Sequence, residues 1–242
     1  MHPEFFHGSL KFLQSDRLFR LGTDAMVLAD FAQLPAGAAV CDLCAGTGAV
    51  GLLLAAADPA CTVTAVELQA EACACMERTV AENGLASRFR ICNLDLRQHR
   101  ENLPHGAFRF VVCNPPYDPV GAGAAPENPA VAIARTELCC TLDDAVSAAR
   151  WLLTTGGSLD LVYRPERLTD LLCTLRAHEL EPKHLRFVRH GPGKPASLVL
   201  VRAVCGGRPG LRIDPELLLH DAVGAETEEY RRIYHLDSAP ES

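Results

Sequence analysis

Four short apolar runs in the first half of the chain each finish at or beside a side chain that accepts hydrogen bonds, and this repeat constrains the fold more than any other feature. The runs are AAVCDL (Ala38 to Leu43), CTVTAVE (Cys61 to Glu67), FRICNLD (Phe89 to Asp95) and FRFVVC (Phe108 to Cys113), the last followed directly by Asn114-Pro115-Pro116-Tyr117. Stretches with helical spacing lie between them, such as AVGLLLAAA (Ala49 to Ala57) and LQAEACACMERTVAENG (Leu68 to Gly84), the latter closed by Asn83-Gly84. Short apolar strands alternating with helices predict parallel strands joined by crossovers, in an α/β sheet with helices on both faces.

The second half continues the alternation. A long helix is expected from Leu138 to Leu153, stopped by Gly156-Gly157, then a fifth strand SLDLVY (Ser158 to Tyr163) and a helix opened by Pro165. HLRFVRH and SLVLVRAV are joined by only six residues, GPGKPA, so that pair is expected to be antiparallel. Upstream, GTDAMVLADFAQL (Gly22 to Leu34) reads as a helix capped by Thr23 or Asp24. GAGAAPENP (Gly121 to Pro129) reads as a mobile loop, and the tail as a short strand or turn followed by a helix from about Thr227. The whole chain, 1–242, is expected to form one domain, with residues 205–242 as a C-terminal extension.

Hydrophobic residues make up 48% of the sequence, enough for a full core. No apolar run reaches the ~18 residues of a membrane span, and the N-terminus lacks the pattern of a signal peptide. Eleven cysteines, several inside apolar runs, read as reduced and buried, which points to the cytoplasm. Cys41-x-x-Cys44 and Cys73-x-Cys75 have no second pair at ligand spacing, so no metal is expected.

Net charge is −7, but it is unevenly placed. From Arg164 to Arg212 there are ten Lys and Arg against four acids, and from Ile213 to Ser242 eight acids against two arginines. A basic face over 164–212 could bind a polyanion such as RNA; a solvated surface is the plain alternative.

DLCAGTG (Asp42 to Gly48) turns the chain from the first strand into the first crossover helix. Glycines there let backbone approach a ligand at a helix N-terminus. The acid ahead of the glycines disfavours a pyrophosphate and suits a ligand with a positive end, such as S-adenosylmethionine with its ammonium and sulfonium. Glu67, 19 residues after Gly48, can accept both hydroxyls of a ribose, and Asp95 can accept from an adenine amino group. Asn114 to Tyr117 stand at the same carboxyl edge. A planar exocyclic nitrogen is a poor nucleophile, because its lone pair is delocalised. It is helped by acceptors on its two N–H bonds and by aim at the methyl. Asn114 offers a side-chain carbonyl and Pro115 a backbone one. Pro115 and Pro116 stiffen the loop and carry no N–H, and Tyr117 gives a flat face for the target to stack on.

TDAMVLADFA, DLCAGTG, VTAVEL and CNPPYDP together resemble the class I S-adenosylmethionine-dependent methyltransferases that modify amino groups, and specifically the tRNA1(Val) adenine N6-methyltransferase-like family. PGKPASLVLVRAV and LLLHDAVGAETEEYRRIYH look like that family's ending, so the likeness covers nearly the whole chain. It implies a doubly wound, mostly parallel, seven-stranded Rossmann-like sheet with the last strand antiparallel. It also implies S-adenosylmethionine as cofactor and an adenine beside the anticodon of a valine tRNA as target. By the same likeness the first helix, within residues 1–35, closes over the cofactor. Thr23 and Asp24 would meet its methionine end. The loop Asp42, Leu43, Cys44, Ala45, Gly46, Thr47 and Gly48 would hold it. Glu67 and Leu68 would take the ribose, and Asp95 and Leu96 the adenine. Asn114, Pro115, Pro116 and Tyr117 would form the catalytic loop. Tyr117, Arg135, Arg189 and Lys194 are the candidates for touching substrate. Cys44 departs from the family, which commonly has glycine there. The Asn-Pro-Pro-Tyr motif is shared with protein-glutamine, DNA-adenine and rRNA-guanine methyltransferases, so these substrates stay open, as does a cofactor-binding subunit without catalysis. Only ~21 residues precede the first helix, where glutamine enzymes carry a helical domain; that and the basic stretch favour RNA.

Overall fold

The computed structural model describes residues 2–7, 10–14, 22–117 and 139–234. Arg135 and the loop Gly121–Pro129 lie outside these residues. Strands β3 (Ala39–Leu43), β4 (Thr62–Glu67), β5 (Phe89–Asn93), β6 (Phe108–Cys113), β7 (Leu153–Tyr163), β8 (Leu180–Arg189) and β9 (Ala196–Cys205) form one sheet in the order β8-β9-β7-β6-β3-β4-β5. Neighbours are parallel except β9, which runs antiparallel to both β7 and β8, as the short GPGKPA connection requires. Two two-residue strands, β10 (Arg212–Ile213) and β11 (Leu217–Leu218), lengthen the outer edge along β8. A hairpin of β1 (His2–His7) and β2 (Leu10–Gln14), not anticipated from the sequence, stands apart from the sheet. Asn83 at the end of α3 (Ala70–Glu82) holds it, accepting from the Lys11 amide and donating to the Lys11 carbonyl.

Alternation along the strands sorts the core. Val40, Val112 and Val162 pack with α1 (Thr23–Phe31), α2 (Ala49–Ala57) and α3 on one face. Cys41, Leu43, Val111 and Leu161 pack on the other face, with the helices Leu142–Leu152 and Leu168–Ala177. Helix α2 carries no polar side chain and buries Val50, Leu52, Leu53 and Leu54. At roughly 1.5–3 kcal/mol per buried aliphatic side chain, this helix anchors the face beneath the DLCAGTG turn.

The helix expected over Leu138 to Leu153 is observed as Leu142–Leu152, begun by a reciprocal cap between Thr141 and Asp144. Gly156-Gly157 do not end it. They lie within β7, where a Cβ on Gly157 would stand 2.9 Å from the Arg109 carbonyl of β6, so the absent side chain serves strand contact. Helix α1 is preceded by Gly22 and has no side-chain cap, so Thr23 and Asp24 are its first residues rather than its cap. Their side chains are used elsewhere.

Candidate active site

Strand order reverses between β3 and β6: the chain steps outward from β3 to β4 and β5, then returns to the other side of β3 with β6 and β7. A crevice opens at the carboxyl end of such a switch point. Here it is lined by Asp42, by the turn Cys44 to Thr47, by Glu67, Leu68, Asp95 and Leu96, and by Asn114 to Tyr117. Four carboxylates, Asp24 among them, and the Asn-Pro-Pro-Tyr loop, separated by up to 93 residues in sequence, therefore share one cleft.

Asp42 is 1% exposed, and its Oδ2 accepts from the Gly51 amide at 2.8 Å. A Cβ on Gly51 would sit 3.1 Å from that oxygen, so the glycine in α2 is what lets the carboxylate approach the helix. Burial pushes the Asp42 carboxyl up to about 7, against the bond from Gly51 and helped by the nearby Glu67 charge. Glu67 is 7% exposed. Its two oxygens accept from the amides of Gly46 and Gln69, both at 2.8 Å, which clasps the DLCAGTG turn to the end of β4. Burial raises the Glu67 pKa, and these amide bonds oppose the rise.

Asp95 is in a different condition. It lies just past β5, and Arg97 grips both its oxygens, Nε to Oδ1 at 2.9 Å and Nη2 to Oδ2 at 2.5 Å. That pairing holds its carboxyl below the usual range.

Cys44 takes φ 55°, in the left-handed region, which explains why glycine suits this position; a side chain there costs about 1–2 kcal/mol. Its Sγ lies 3.8 Å from Sγ of Cys140 across the cleft. A hydrogen bond with Cys113 and burial push the Cys44 thiol well above its ordinary value, so it stays protonated. Among the described residues no cluster of three or more His, Cys, Asp or Glu could hold a metal, and no helix is long and apolar enough to cross a membrane.

At the end of β6 the Asn114 Nδ2 donates to Asp24 Oδ2 at 3.2 Å, and the Tyr117 hydroxyl donates to the same oxygen at 3.3 Å. Asn114 Oδ1 is buried and has no hydrogen-bond partner among the described residues. An orphaned acceptor of this kind is costly in a folded protein and marks a position for a ligand donor. Tyr117 lines the cleft, while the Arg164 guanidinium, which does not, lies 4.4 Å from the ring centroid. Tyr163 meets the ring edge-on at 6.3 Å.

Three residues expected to hold the cofactor do not line the cleft. Leu43 is wholly buried in the core, and Gly48 (φ 84°) lies against Met76, where a Cβ would come within 2.6 Å. The Thr23 hydroxyl is bonded to the Tyr234 hydroxyl at 3.0 Å. Conversely, Gln69, Leu94, Cys139 and Cys140 line it without having been expected. Gln69 stood two residues past an acid already singled out. Cys140 is 96 positions from Cys44, and no spacing rule connects them.

The basic stretch is partly paired. Of its ten cations, six form ion pairs: Arg167 with Asp170, Arg176 with Glu181, Arg186 with Glu229, Arg189 with Glu216, Arg202 with Asp160 and Arg212 with Asp214. Three of these partners come from the acidic tail, so the two opposite stretches meet in space and partly offset each other. Arg189 also donates to the Lys194 carbonyl and so braces the GPGKPA turn. Lys194 itself is exposed, without an ion pair among the described residues.

The sequence profile described as methyltransferase small domain matches residues 19–175. The chain belongs to this family. A tRNA1(Val) (adenine(37)-N6)-methyltransferase of Aeromonas salmonicida is 28% identical over 218 residues, covering 89% of each chain. A ribosomal protein uL3 glutamine methyltransferase of Bordetella pertussis is 40% identical over 100 residues, covering 38% of this chain and 32% of its own. Among solved structures, a predicted O-methyltransferase, protein Atu636 of Agrobacterium tumefaciens, superposes with a TM-score of 0.72 at 22% identity, covering 90% of this chain and 98% of its own. The doubly wound sheet is thus a methyltransferase fold, and the chain is a member of a methyltransferase family.

Proposed function

We propose that this methyltransferase uses S-adenosylmethionine to methylate the exocyclic amino group, N6, of an adenine in tRNA, beside the anticodon, in the cytoplasm. The observation that carries this reading is Asn114 Oδ1, a buried acceptor without a partner among the described residues, at the end of β6 in the same cleft as Asp42 and Glu67. The names of the relatives supply the RNA part of the reading.

The cleft suits the cofactor. Glu67 and Leu68 would hold its ribose, Asp95 and Leu96 its adenine, and the turn from Asp42 to Thr47 its charged amino-acid end. When bound, S-adenosylmethionine supplies an electrophilic methyl group. The protein's task is to orient a weak nucleophile toward it. Asn114 Oδ1 accepts one N–H of the amino group and the Pro115 carbonyl accepts the other, which draws the nitrogen lone pair out of conjugation and points it at the methyl. Pro115 and Pro116 add no competing donor. The ring of Tyr117, backed by Arg164, would support the flipped base from one side. The proton of the methylated amino group leaves to water. Of the four residues suggested for substrate, Tyr117 fits this role and Lys194, exposed and without an ion pair among the described residues, would meet phosphate, whereas Arg189 is occupied by Glu216.

A second reading, methylation of a protein glutamine, is favoured by the segment that is 40% identical to the Bordetella enzyme. It needs the same acceptors, because a carboxamide nitrogen is also planar and conjugated. Mass spectrometry of nucleosides from tRNA, before and after incubation with enzyme and S-adenosylmethionine, tests the choice. N6-methyladenosine that disappears when the anticodon loop is removed supports the first reading. Label confined to a protein fraction replaces it with the second, and label nowhere leaves a cofactor-binding subunit without catalysis.

A further inference from the structure

We infer that Asp24 is a positioning residue that sets the orientation of the catalytic amide. The argument rests on the amino-methyl transfer proposed above. Asn114 can present either its carbonyl or its NH2 to the cleft, and the two differ by a half-turn of the side chain. Only the carbonyl can accept from an amino group; the NH2 would oppose two N–H donors with two more. A carboxylate accepts and cannot donate, so the Asp24 Oδ2 contact at 3.2 Å admits only the Nδ2 side of Asn114. That leaves Oδ1 buried, without a partner among the described residues, and turned to the reacting nitrogen. The same Asp24 oxygen takes the Tyr117 hydroxyl at 3.3 Å, so one carboxylate fixes both functional side chains of the loop.

Asp24 is itself held from behind. It is 6% exposed, and its other oxygen accepts from the Ala25 amide at 2.9 Å. Helix α1, which carries it, is pinned at both ends by the C-terminal helix Glu228–Ile233 and the residue after it. Tyr234 bonds to Thr23, and Arg232 grips Asp30 through both oxygens. Asp24, which also lines the cleft, therefore works as the rigid member of a chain running from the helix Glu228–Ile233 to the catalytic loop.

The test is Asp24→Ala and Asp24→Asn, assayed on whichever acceptor the wild type labels, bulk tRNA or ribosomal protein, with S-adenosylmethionine binding measured by calorimetry. Asp24→Ala is expected to lower kcat about 100-fold, the cost of a misoriented reacting pair. Cofactor Kd should stay within about threefold of wild type. Asp24→Asn keeps the shape but can donate, which lets the Asn114 amide flip, so its kcat should fall by less than that of Asp24→Ala. Should the alanine variant fail to fold, the near-isosteric asparagine carries the test. Loss of cofactor binding in step with turnover, or an unchanged kcat in both variants, would overturn the assignment. Label found only in protein would overturn the tRNA reading and leave this test in force; a wild type that labels neither acceptor would overturn both.

Discussion

The cleft and the C-terminal third treat polar groups in opposite ways. Along Arg164 to Arg212 six cations meet carboxylates, and the Arg202–Asp160 pair is buried on its acidic side, Asp160 being 1% exposed. In the cleft, among the described residues, Asn114 Oδ1 has no partner and the Asp42 carboxylate accepts from one backbone amide. Satisfied polar groups hold a fold together; unsatisfied ones raise the free energy of the ligand-free protein and are retained where a ligand completes them. Charge counted along the sequence pointed to the arginine-rich stretch. In the folded chain Asn114, whose buried Oδ1 has no partner among the described residues, lines the cleft.

The contrast is open to direct attack. The largest effect is expected for Asn114→Ala, which should lower kcat by two to three orders of magnitude, roughly the value of one aimed hydrogen-bonding group, with cofactor binding by calorimetry nearly intact. Cofactor binding lost in parallel would place Asn114 on the wrong side of the reaction. In the paired region, Arg202→Ala leaves Asp160 buried without its cation and should cost about 3 kcal/mol in urea unfolding, while the cofactor Kd does not move. A loss well under 1 kcal/mol would show that the pair is dispensable.

Asp42 gives a pH signature. Its carboxyl titrates near 7 in the folded chain against an ordinary 3.8, so between those values the folded state binds more protons than the unfolded one. Its contribution to stability must therefore decline as pH rises from about 4 to about 7. Asp42→Asn should remove that decline, read as the difference between the two unfolding free energies across the window. Parallel curves would mean the carboxyl is not buried as described. A cationic ligand favours the carboxylate, so wild-type affinity for S-adenosylmethionine should rise over the same range. The smallest effects separate free from paired cations: Lys194→Ala should raise the KM for tRNA by about threefold, and Arg186→Ala by less than about twofold. The reverse order would return the basic stretch to the RNA-binding surface.

The strand ends were legible because a parallel strand buried on both faces reads as an uninterrupted apolar run, and its first polar residue falls at the sheet edge. Asp42, Glu67, Asp95 and Asn114 were found that way. The β1–β2 hairpin was not, since HPEFFH and LKFLQ show no clean alternation and what holds the second strand is the distant Asn83. Leu43 and Gly48 were placed at the cleft by belonging to the motif, yet adjacent residues of a strand face opposite sides, and a glycine in a turn can serve the packing of Met76 rather than a ligand.

By itself the sequence determined the α/β architecture and the edge of the sheet at which the cleft opens. These follow from local periodicity and from residue types at strand ends. Only the tertiary structure decided which charges are spent on one another, that Asp95 is gripped by Arg97, and that Asp24 accepts from the Asn114 side-chain amide. Those contacts join side chains as far as 202 residues apart, and the distance and direction between such groups exist only once the core has packed.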